Sequence, residues 1–318
     1  MNDSDFFIDM SRISVEIAGL QLKSPIILAS GILGISPSSM KRLDRYGIGG
    51  ITTKTIGPRK RKGYPNPSII GLGDGSFLNA VGLANPGIDV FEKEISEIKK
   101  TVSSPLIVSV FGDGPDGYAE IAERAWKAGA DAIELNVSCP HAEVSSIGAD
   151  PDLTARFVET VRPVVKCPLL VKLNPNVTDI TAAAKTAESS GADALVAINT
   201  VRGIAIDINT KRPILAHGVG GLSGKAIKPI GLKDVFTLYE NVEIPIIGCG
   251  GISGWKDIIE YFLAGASAVQ IGSAFYKGEK ILKNINADLV SYLKKNNIEN
   301  VSELTGEAHK FKLKLNPE

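Results

Sequence analysis

Residues 127–136 read Lys-Ala-Gly-Ala-Asp-Ala-Ile-Glu-Leu-Asn, and closely related stretches occur at 190–199 (Ser-Gly-Ala-Asp-Ala-Leu-Val-Ala-Ile-Asn) and 263–272 (Leu-Ala-Gly-Ala-Ser-Ala-Val-Gln-Ile-Gly). In each stretch a glycine follows a segment with helical spacing and precedes a short apolar run. Glycine at that place can adopt the left-handed conformation that ends a helix. The pattern therefore predicts a helix, a tight turn and a strand, three times along the chain.

Further apolar runs of the same kind lie between these stretches and before them. They are nearly continuously apolar, which is typical of strands in a parallel sheet covered on both faces. Eight strand–helix units without a break in composition predict a (β/α)8 TIM barrel, with residues 1–318 as one domain. A doubly wound open sheet is the alternative, and it is disfavoured because no Gly-x-Gly-x-x-Gly motif follows the first strand. The predicted strands are Ile26–Ser30, Gly50–Thr55, Leu106–Val110, Ala132–Val137, Leu169–Leu173, Ala194–Asn199, Ile244–Gly248 and Ala268–Gly272.

Two features decorate the predicted barrel. Residues 13–17 and 21–22 flank Ala18-Gly-Leu20, which predicts an N-terminal β-hairpin that caps the N-terminal mouth of the barrel. The connections 56–86 and 202–228 are long, rich in glycine and proline, and without evident structure; such connections are more often functional than idle. Both follow strand ends on the face where barrel active sites form, so we expect inserted active-site loops there.

Composition and charge exclude several classes of protein. Lys plus Arg and Asp plus Glu number 35 each, so no net field gathers nucleic acid or an anionic membrane. The apolar runs are far shorter than the roughly 20 residues of a membrane span. Three cysteines, Cys139, Cys167 and Cys249, are too widely spaced for a disulfide framework or a CxxC metal site. We therefore expect a cytoplasmic protein that binds no nucleic acid, no membrane and no metal.

Polar residues stand at the C-terminal ends of the apolar strands, namely Lys54, Asn136, Lys172, Asn199 and Thr200. A lysine buried at a barrel mouth is costly unless an anion or an acceptor meets it. The alternative is that each lysine extends to solvent or pairs with a glutamate. Two lysines and two asparagines that converge favour a bound group with delocalised negative charge.

Glycine-rich turns follow the last two predicted strands, at Gly248-Cys-Gly-Gly-Ile252 and Gly272-Ser273. Backbone amides at these turns can hold a phosphate, as they do in many barrels. The alternative is that these glycines serve tight turns only. The turns favour a phosphate-bearing ligand without identifying it.

Cys139 lies in Asn136-Val-Ser-Cys-Pro140, just past a predicted strand end. A lone cysteine is usually a buried structural residue, and we interpret Cys167 and Cys249 in that way. Cys139 is at the predicted mouth, where a thiol with a pKa of about 8.5 can remove a proton from a weak carbon acid. His141 can orient a substrate or tune this thiol, or it can be an ordinary polar loop residue.

Taken together, these motifs resemble the class 1 dihydroorotate dehydrogenases, FMN enzymes on a (β/α)8 barrel, from about Ile13 to Lys277. The resemblance implies oxidation of dihydroorotate to orotate in pyrimidine synthesis, with Cys139 as the base at carbon 5 and hydride transfer from carbon 6 to the flavin. The motifs that carry it are Thr53-Lys-Thr55, Asn79-Ala-Val-Gly-Leu-Ala-Asn-Pro-Gly87, Leu135-Asn-Val-Ser-Cys-Pro140, Val171-Lys-Leu-Asn-Pro-Asn-Val-Thr-Asp-Ile180, Asn199-Thr200, Gly220-Gly-Leu-Ser-Gly-Lys-Ala-Ile-Lys-Pro229, Gly250-Gly-Ile252 and Gly272-Ser273.

The same resemblance implies a role for each matching residue. Lys54 would touch both flavin and substrate and act with Cys139 in catalysis, and Lys172 would face the N1/O2 edge of the flavin. The implied substrate contacts are Lys54, Asn79, Val81, Gly82, Leu83, Asn136, His141, Asn199 and Thr200. The implied FMN contacts are Ala29, Ser30, Lys54, Thr55, Ser109, Asn136, Lys172, Ile198, Gly224, Gly250, Gly251, Gly272 and Ser273.

Within class 1 the chain looks most like the NAD-linked subclass, in which a second polypeptide with FAD and an iron–sulfur cluster passes electrons to NAD. A homodimer is also implied. This chain has neither a cysteine set for a cluster nor a dinucleotide motif, so a partner would supply both.

Two residues depart from the family pattern, because His141 and Ser109 stand where asparagine is usual. The Ser-Cys-Pro-His sequence also resembles the pyrimidine domain of dihydropyrimidine dehydrogenase, so reduction of uracil or thymine is an alternative function. A flavin-free, phosphate-binding lyase or isomerase is a further alternative.

Overall fold

The computed structural model describes residues 9–137 and 150–311 of the chain, and all eight predicted strands are present. In chain order the strands are β1 Val15–Ile17, β2 Leu20–Leu22, β3 Ile26–Leu28, β4 Gly50–Thr52, β5 Ile69–Gly73, β6 Ser76–Asn79, β7 Leu106–Val110, β8 Ala132–Asn136, β9 Leu169–Lys172, β10 Ala194–Ala197, β11 Val201–Gly203, β12 Ile206–Asp207, β13 Arg212–Pro213, β14 Gly220–Gly224, β15 Ile246–Cys249 and β16 Ala268–Ile271. The helices are α1 Pro37–Arg45, α2 Ile88–Thr101, α3 Gly114–Lys127, α4 Pro151–Val161, α5 Ile180–Ser189, α6 Lys228–Tyr239, α7 Trp255–Leu263 and α8 Ile281–Lys295. None of these helices is long and apolar enough to cross a membrane.

Eight parallel strands close into a barrel in the order β3-β4-β7-β8-β9-β10-β15-β16. The ring closes where β16 pairs with β3, with Val269 opposite Ile26. This closure confirms the predicted barrel and excludes the doubly wound open sheet. Because the strands are parallel, all their carboxyl ends lie at one rim, which we call the mouth.

The glycines of the three repeated stretches end helices as predicted. Gly129, Gly191 and Gly265 follow α3, α5 and α7 and have φ angles of 111°, 102° and 115°. A side chain is strained at such angles. Glycine therefore allows each helix to end and the next strand to begin within a few residues.

The hairpin formed by β1 and β2 closes the N-terminal end of the barrel, as predicted. The two strands pair antiparallel, and Ile17 and Leu22 are buried in one cluster with Ile27, Leu170 and Ile247 of the barrel strands. Burying an aliphatic side chain of this size contributes roughly 1.5–3 kcal/mol. The lower half of the barrel is thus an apolar core, which leaves the mouth for function.

The expectation that the connections 56–86 and 202–228 lack regular structure is wrong. The first contains β5 and β6, the second contains β14 and continues from β11, and these strands form an antiparallel sheet in the order β11-β14-β6-β5. Asp74 and Gly75 turn between β5 and β6 with φ angles of 47° and 88°. An Asp-Gly pair between apolar runs is a strong hairpin signal, and the surrounding glycines and prolines obscured it. The insertions therefore form a second sheet on the mouth side.

At the end of the barrel opposite the mouth, Asp44 lies near the end of α1 and links this helix to the segment before β7. Its carboxylate accepts hydrogen bonds from Lys23 Nζ at 2.7 Å, from Ser104 Oγ at 2.6 Å and from the backbone N–H of Ser103 at 3.0 Å. Burial opposes the charged form, but these donors outweigh it and hold the pKa of Asp44 well below its usual range.

We predict that Asp44→Asn lowers the free energy of unfolding by about 2 kcal/mol at pH 7, because charged hydrogen bonds are lost. A lowered pKa stabilises the fold above the unfolded-state value of about 3.9, and this benefit declines as the pH falls below it. Urea unfolding at pH 7 and pH 3 measures the effect, which shrinks at pH 3. The matched variant of the exposed Asp288, Asp288→Asn, changes stability by less than about 0.5 kcal/mol. Equal losses at both pH values would contradict the role of the charge.

Candidate active site

A chain of side-chain hydrogen bonds runs along the mouth of the barrel. Thr55 is its centre, because Oγ1 lies 3.1 Å from Ser30 Oγ and 3.0 Å from Ser109 Oγ. Asn136 donates from Nδ2 to Thr55 Oγ1 at 3.1 Å, and Asn199 donates to Asn136 Oδ1 at 3.3 Å. The structure thus brings together five predicted side chains from the ends of β3, β4, β7, β8 and β10.

Two lysines accompany this chain of hydrogen bonds. Lys54 is half-buried, no ion pair or side-chain hydrogen bond holds it within the described ranges, and burial lowers its pKa. Lys172 is only 5% exposed and donates to Gln270 Oε1 at 2.9 Å. Burial alone would lower the pKa of Lys172, but the nearby Cys249 and Glu134 raise it overall. Gln270 therefore holds the ammonium of Lys172 inside the barrel, whereas Lys54 follows the end of β4 at the mouth.

The second sheet brings further predicted residues to the mouth. Asn79, at the end of β6, donates from Nδ2 to the carbonyl oxygen of Gly221 on β14 at 3.1 Å. Thr200 lies against the same glycine, since a Cβ built on Gly221 would come within 2.2 Å of Thr200 Oγ1. The loop 81–83 continues from Asn79, and the carbonyl of Val81 accepts from the backbone N–H of Tyr64 at 3.0 Å.

A small cavity lies where the turns after β15 and β16 meet the second sheet. Of the residues predicted to contact a phosphate-bearing ligand, Gly251, Ser273 and Gly224 line it. The other lining residues are Gly75, Lys225, Ile252, Ser253, Ala274, Tyr276 and Lys277. Backbone amides beside two lysines favour an anion.

Glycine is required at position 251 of this cavity. Gly251 has a φ of 70°, and a Cβ there would lie 2.7 Å from the backbone nitrogen of Lys228. Asp257 accepts from the N–H groups of Ser253 and Gly254 at 2.8 and 3.2 Å, so those two amides are already occupied. In the turn after β15, this leaves the backbone amides of Gly251 and Ile252, which line the cavity, as the ones that can face an anion.

Four predicted residues lie beside this cavity rather than in its lining, namely Ala29, Ile198, Gly250 and Gly272. They follow β3, β10, β15 and β16, which are consecutive strands of the barrel. Ala29 and Ile198 are buried, and a Cβ built on Gly272 would touch Ala29 Cβ at 3.3 Å. Ile198 likewise lies beside Gly250, where a built Cβ would come within 3.4 Å of Ile198 Cγ1, so small or apolar residues occupy these strand ends.

Sequence reasoning missed two groups of residues. Gly75 and Lys277 line the cavity, and the Asp-Gly turn was the signal for Gly75. Glu134 and Gln270 are buried inside the barrel, bonded to each other at 2.7 Å. Their signal was a polar residue in the middle of an otherwise apolar strand.

Cys139 and His141 lie outside the described residues. The base and substrate contact assigned to them therefore stay predictions. Asn136, three positions before Cys139, ends β8 at the mouth.

The mouth combines donors, acceptors, two cations, small or apolar residues at four strand ends and a cavity that suits an anion. Such a site suits a flat polar ring joined to an anionic group, with space for a second small polar molecule. No group of three carboxylate, histidine or cysteine side chains in the described ranges is placed to hold a metal ion.

Comparison with known proteins identifies relatives over nearly the whole chain. The model of the dihydroorotate dehydrogenase family matches residues 12–293. The chain is 47% identical over 304 residues to the dihydroorotate dehydrogenase B (NAD(+)) catalytic subunit of Methanosarcina mazei, covering 95% of this chain and 96% of that protein. It is 46% identical over 303 residues to the protein of the same name from Methanocaldococcus jannaschii, covering 93% and 98%.

A solved structure gives the same fold. The dihydroorotate dehydrogenase of Eimeria tenella, in complex with ferulenol, matches with a TM-score of 0.84 and 24% sequence identity. The match covers 96% of this chain and 91% of that one. At this identity the likeness supports the barrel architecture alone.

Proposed function

The chain belongs to the dihydroorotate dehydrogenase family, and we propose that it oxidises dihydroorotate to orotate in pyrimidine synthesis, with FMN bound at the mouth. The observation that carries the proposal is that the anion cavity and the hydrogen-bonded mouth with its two lysines share one rim. This arrangement fits a phosphate-bearing ring cofactor beside a small anionic substrate.

The residues of the mouth fit FMN. Gly224, Gly251 and Ser273 would hold the phosphate, assisted by Lys225 and Lys277 of the same cavity. Ser30, Thr55, Ser109 and Asn136 would bond the polar edge of the ring, and Ala29, Ile198, Gly250 and Gly272 would pack against it. Ser109, shorter than the usual asparagine, reaches Thr55 and is thus part of the hydrogen-bond chain.

Dihydroorotate would lie over the ring, between the second sheet and Lys54. The half-buried ammonium of Lys54 would meet the substrate carboxylate or a ring oxygen, because no described carboxylate neutralises it. Asn199 and Asn136 would bond the pyrimidine edge. The remaining substrate contacts would be Asn79, Val81, Gly82, Leu83, Thr200 and His141.

The thiolate of Cys139 would remove the proton from carbon 5 of the substrate. FMN, when bound, supplies the hydride acceptor for carbon 6. Lys172 would stabilise negative charge on the reduced ring. Its ammonium is buried, and because the hydrogen bond to Gln270 uses only one of its three N–H groups, the other two can face the ring. Lys54 would orient the substrate between these groups.

The names of the two relatives, dihydroorotate dehydrogenase B (NAD(+)), catalytic subunit, support NAD as the final electron acceptor. We propose that a partner subunit with FAD and an iron–sulfur cluster passes electrons to NAD, because the three cysteines of this chain cannot form a cluster site. Cys167 and Cys249 are free thiols, which fits the reducing cytoplasm.

A homodimer is supported by exposed aliphatic side chains in the connection between β11 and β14. Ile206 and Ile208 are 58% and 85% exposed, and Ile204, Ile214 and Val219 are also exposed. Five exposed aliphatic side chains in one segment are typical of an interaction surface. A second copy of the chain would bury them.

We predict that the purified protein carries FMN and that anaerobic dihydroorotate bleaches its visible spectrum, because the substrate reduces the ring. Orotate is expected to perturb the spectrum of the oxidised protein, and uracil is not. The Ser-Cys-Pro-His sequence at 138–141 favours uracil or thymine reduction as the second candidate. A response to uracil alone would select that candidate, and a colourless protein that takes up no FMN would select the flavin-free alternative.

We predict that Cys139→Ser slows flavin reduction by dihydroorotate about 10²–10⁴-fold, because a positioned base contributes that much, and leaves FMN bound. Cys167→Ser is the matched control: burial raises the pKa of Cys167 to about 11, so this thiol is not a base near neutral pH. Stopped-flow absorbance measures the rate. Full activity of Cys139→Ser at neutral pH would refute the assignment.

We predict that Gly251→Ala weakens FMN binding at least about tenfold, or about 1.4 kcal/mol, because its Cβ would displace the backbone of Lys228 beside the phosphate cavity. Gly254→Ala, three residues on, is the control, since a Cβ there meets nothing within 4 Å. Fluorescence titration of the apoprotein with FMN measures both affinities. Equal affinities of the two variants would contradict the location of the phosphate.

A further inference from the structure

A layer of polar side chains crosses the barrel interior below the mouth. Thr52 on β4, Glu134 on β8, Lys172 on β9 and Gln270 on β16 are each at most 5% exposed. A buried ion pair is often no more stabilising than well-packed apolar residues of similar volume. Stability of the fold therefore does not account for a carboxylate and an ammonium inside this barrel.

Gln270 connects the two charges. Its Oε1 accepts from Lys172 Nζ at 2.9 Å, and its Nε2 donates to Glu134 Oε2 at 2.7 Å and to Thr52 Oγ1 at 3.3 Å. An amide oxygen only accepts and an amide nitrogen only donates. The ammonium at one end and the carboxylate at the other therefore set a single orientation of this amide.

The carboxylate of Glu134 is incompletely satisfied. Its Oε1 is buried and has no hydrogen-bond partner in the part of the chain that the structure describes. Leaving such an oxygen unpaired is costly, so the hydrogen bonds alone do not explain the residue. What Glu134 contributes beyond them is negative charge.

That charge is the one that balances Lys172. The titratable groups that face Lys172 in the described ranges are Glu134 from β8 and Cys249 from β15. Burial raises the pKa of Cys249, although Lys172 opposes this, so Cys249 is a neutral thiol near pH 7. Glu134 is the carboxylate of the two, and Gln270 joins it to Lys172 by two hydrogen bonds.

We propose that Glu134 is a positioning residue whose charge, relayed by Gln270, keeps Lys172 protonated and oriented toward the mouth. The proposal rests on the proposed function, in which Lys172 faces the flavin. Glu134 touches neither flavin nor substrate. It acts on the redox potential of the bound flavin through the charge state of Lys172.

The pairing itself is tested in the apoprotein by a double-mutant cycle with Glu134→Gln and Lys172→Met. Glu134→Gln keeps the volume and the bond to Gln270 but removes the charge. We express each loss of stability in urea as the factor by which the unfolding constant rises. The factor for the double variant is expected to be at least tenfold smaller than the product of the factors for the two single variants. Additive losses would overturn the proposal. If Glu134→Gln alone does not fold, a folded double variant supports the pairing and an unfolded one overturns it.

A buried carboxylate elsewhere gives the matched control for the cycle. Asp234 on α6 is 5% exposed and pairs with Lys233 at 2.9 Å. Asp234→Asn combined with Lys172→Met is expected to be additive. Coupling of the same size in this pair would assign the effect to general destabilisation and overturn the specific role of Glu134.

The effect on the cofactor is tested by the midpoint potential of bound FMN from pH 6 to pH 9. In the wild type Lys172 stays protonated across this range. In Glu134→Gln the negative charge of Glu134 no longer opposes the effect of burial, so the pKa of Lys172 is expected to be lower than in the wild type. The potential of the variant is therefore expected above that of the wild type at pH 6, where a negative charge is lost, and below it at pH 9, where the cation is lost.

The two measurements separate the possible failures. Parallel or identical pH profiles in the wild type and in Glu134→Gln would overturn the proposal. A wild-type protein that takes up no FMN would instead refute the proposed function, and the cycle in the apoprotein would still decide whether Glu134 and Lys172 are coupled. A crossing of the profiles together with a coupled cycle supports both.

Discussion

Pairing of β16 with β3 is the interaction on which the rest of the structure depends. It closes the parallel sheet, and closure forces the carboxyl ends of all eight strands to one rim. Gln270 on β16 can then meet Thr52 on β4, Glu134 on β8 and Lys172 on β9 across the barrel interior. In an open sheet β16 and β3 would be opposite edges, and the polar layer around Gln270 would not form.

The two ends of the barrel have different physical tasks. At the N-terminal end, the β1–β2 hairpin buries apolar side chains, and Asp44 accepts hydrogen bonds from Lys23 and Ser104. Both kinds of contact stabilise the fold. At the mouth, a half-buried ammonium on Lys54 has no carboxylate partner in the described ranges. A charged group that lacks a partner at the mouth indicates that a ligand binds at this end of the barrel.

The inserted sheet and the buried polar layer act on the same site from opposite sides. The turn at Gly75 reaches the cavity lined by Gly251 and Ser273, so the sheet completes a pocket that the barrel turns only begin. From below, Glu134 and Gln270 determine the environment of Lys172. The proposed cofactor site therefore depends on residues that do not touch the cofactor.

Local sequence patterns were sufficient for the strands, the helix ends at Gly129, Gly191 and Gly265, the hairpin cap and the polar strand ends, because spacing and glycine conformation act over a few residues. The position of Cys139 and His141 just past a predicted strand end, together with the family resemblance, supplied the roles assigned to them, which stay predictions. Only the tertiary structure could reveal the second sheet, whose strands β6 and β14 pair across more than a hundred residues. The same holds for the bonds of Gln270 to Lys172 and Glu134, 98 and 136 positions away in the chain. Hydrogen bonds and charge interactions depend on distance in space, and closure of the barrel alone sets that distance for residues so far apart in sequence.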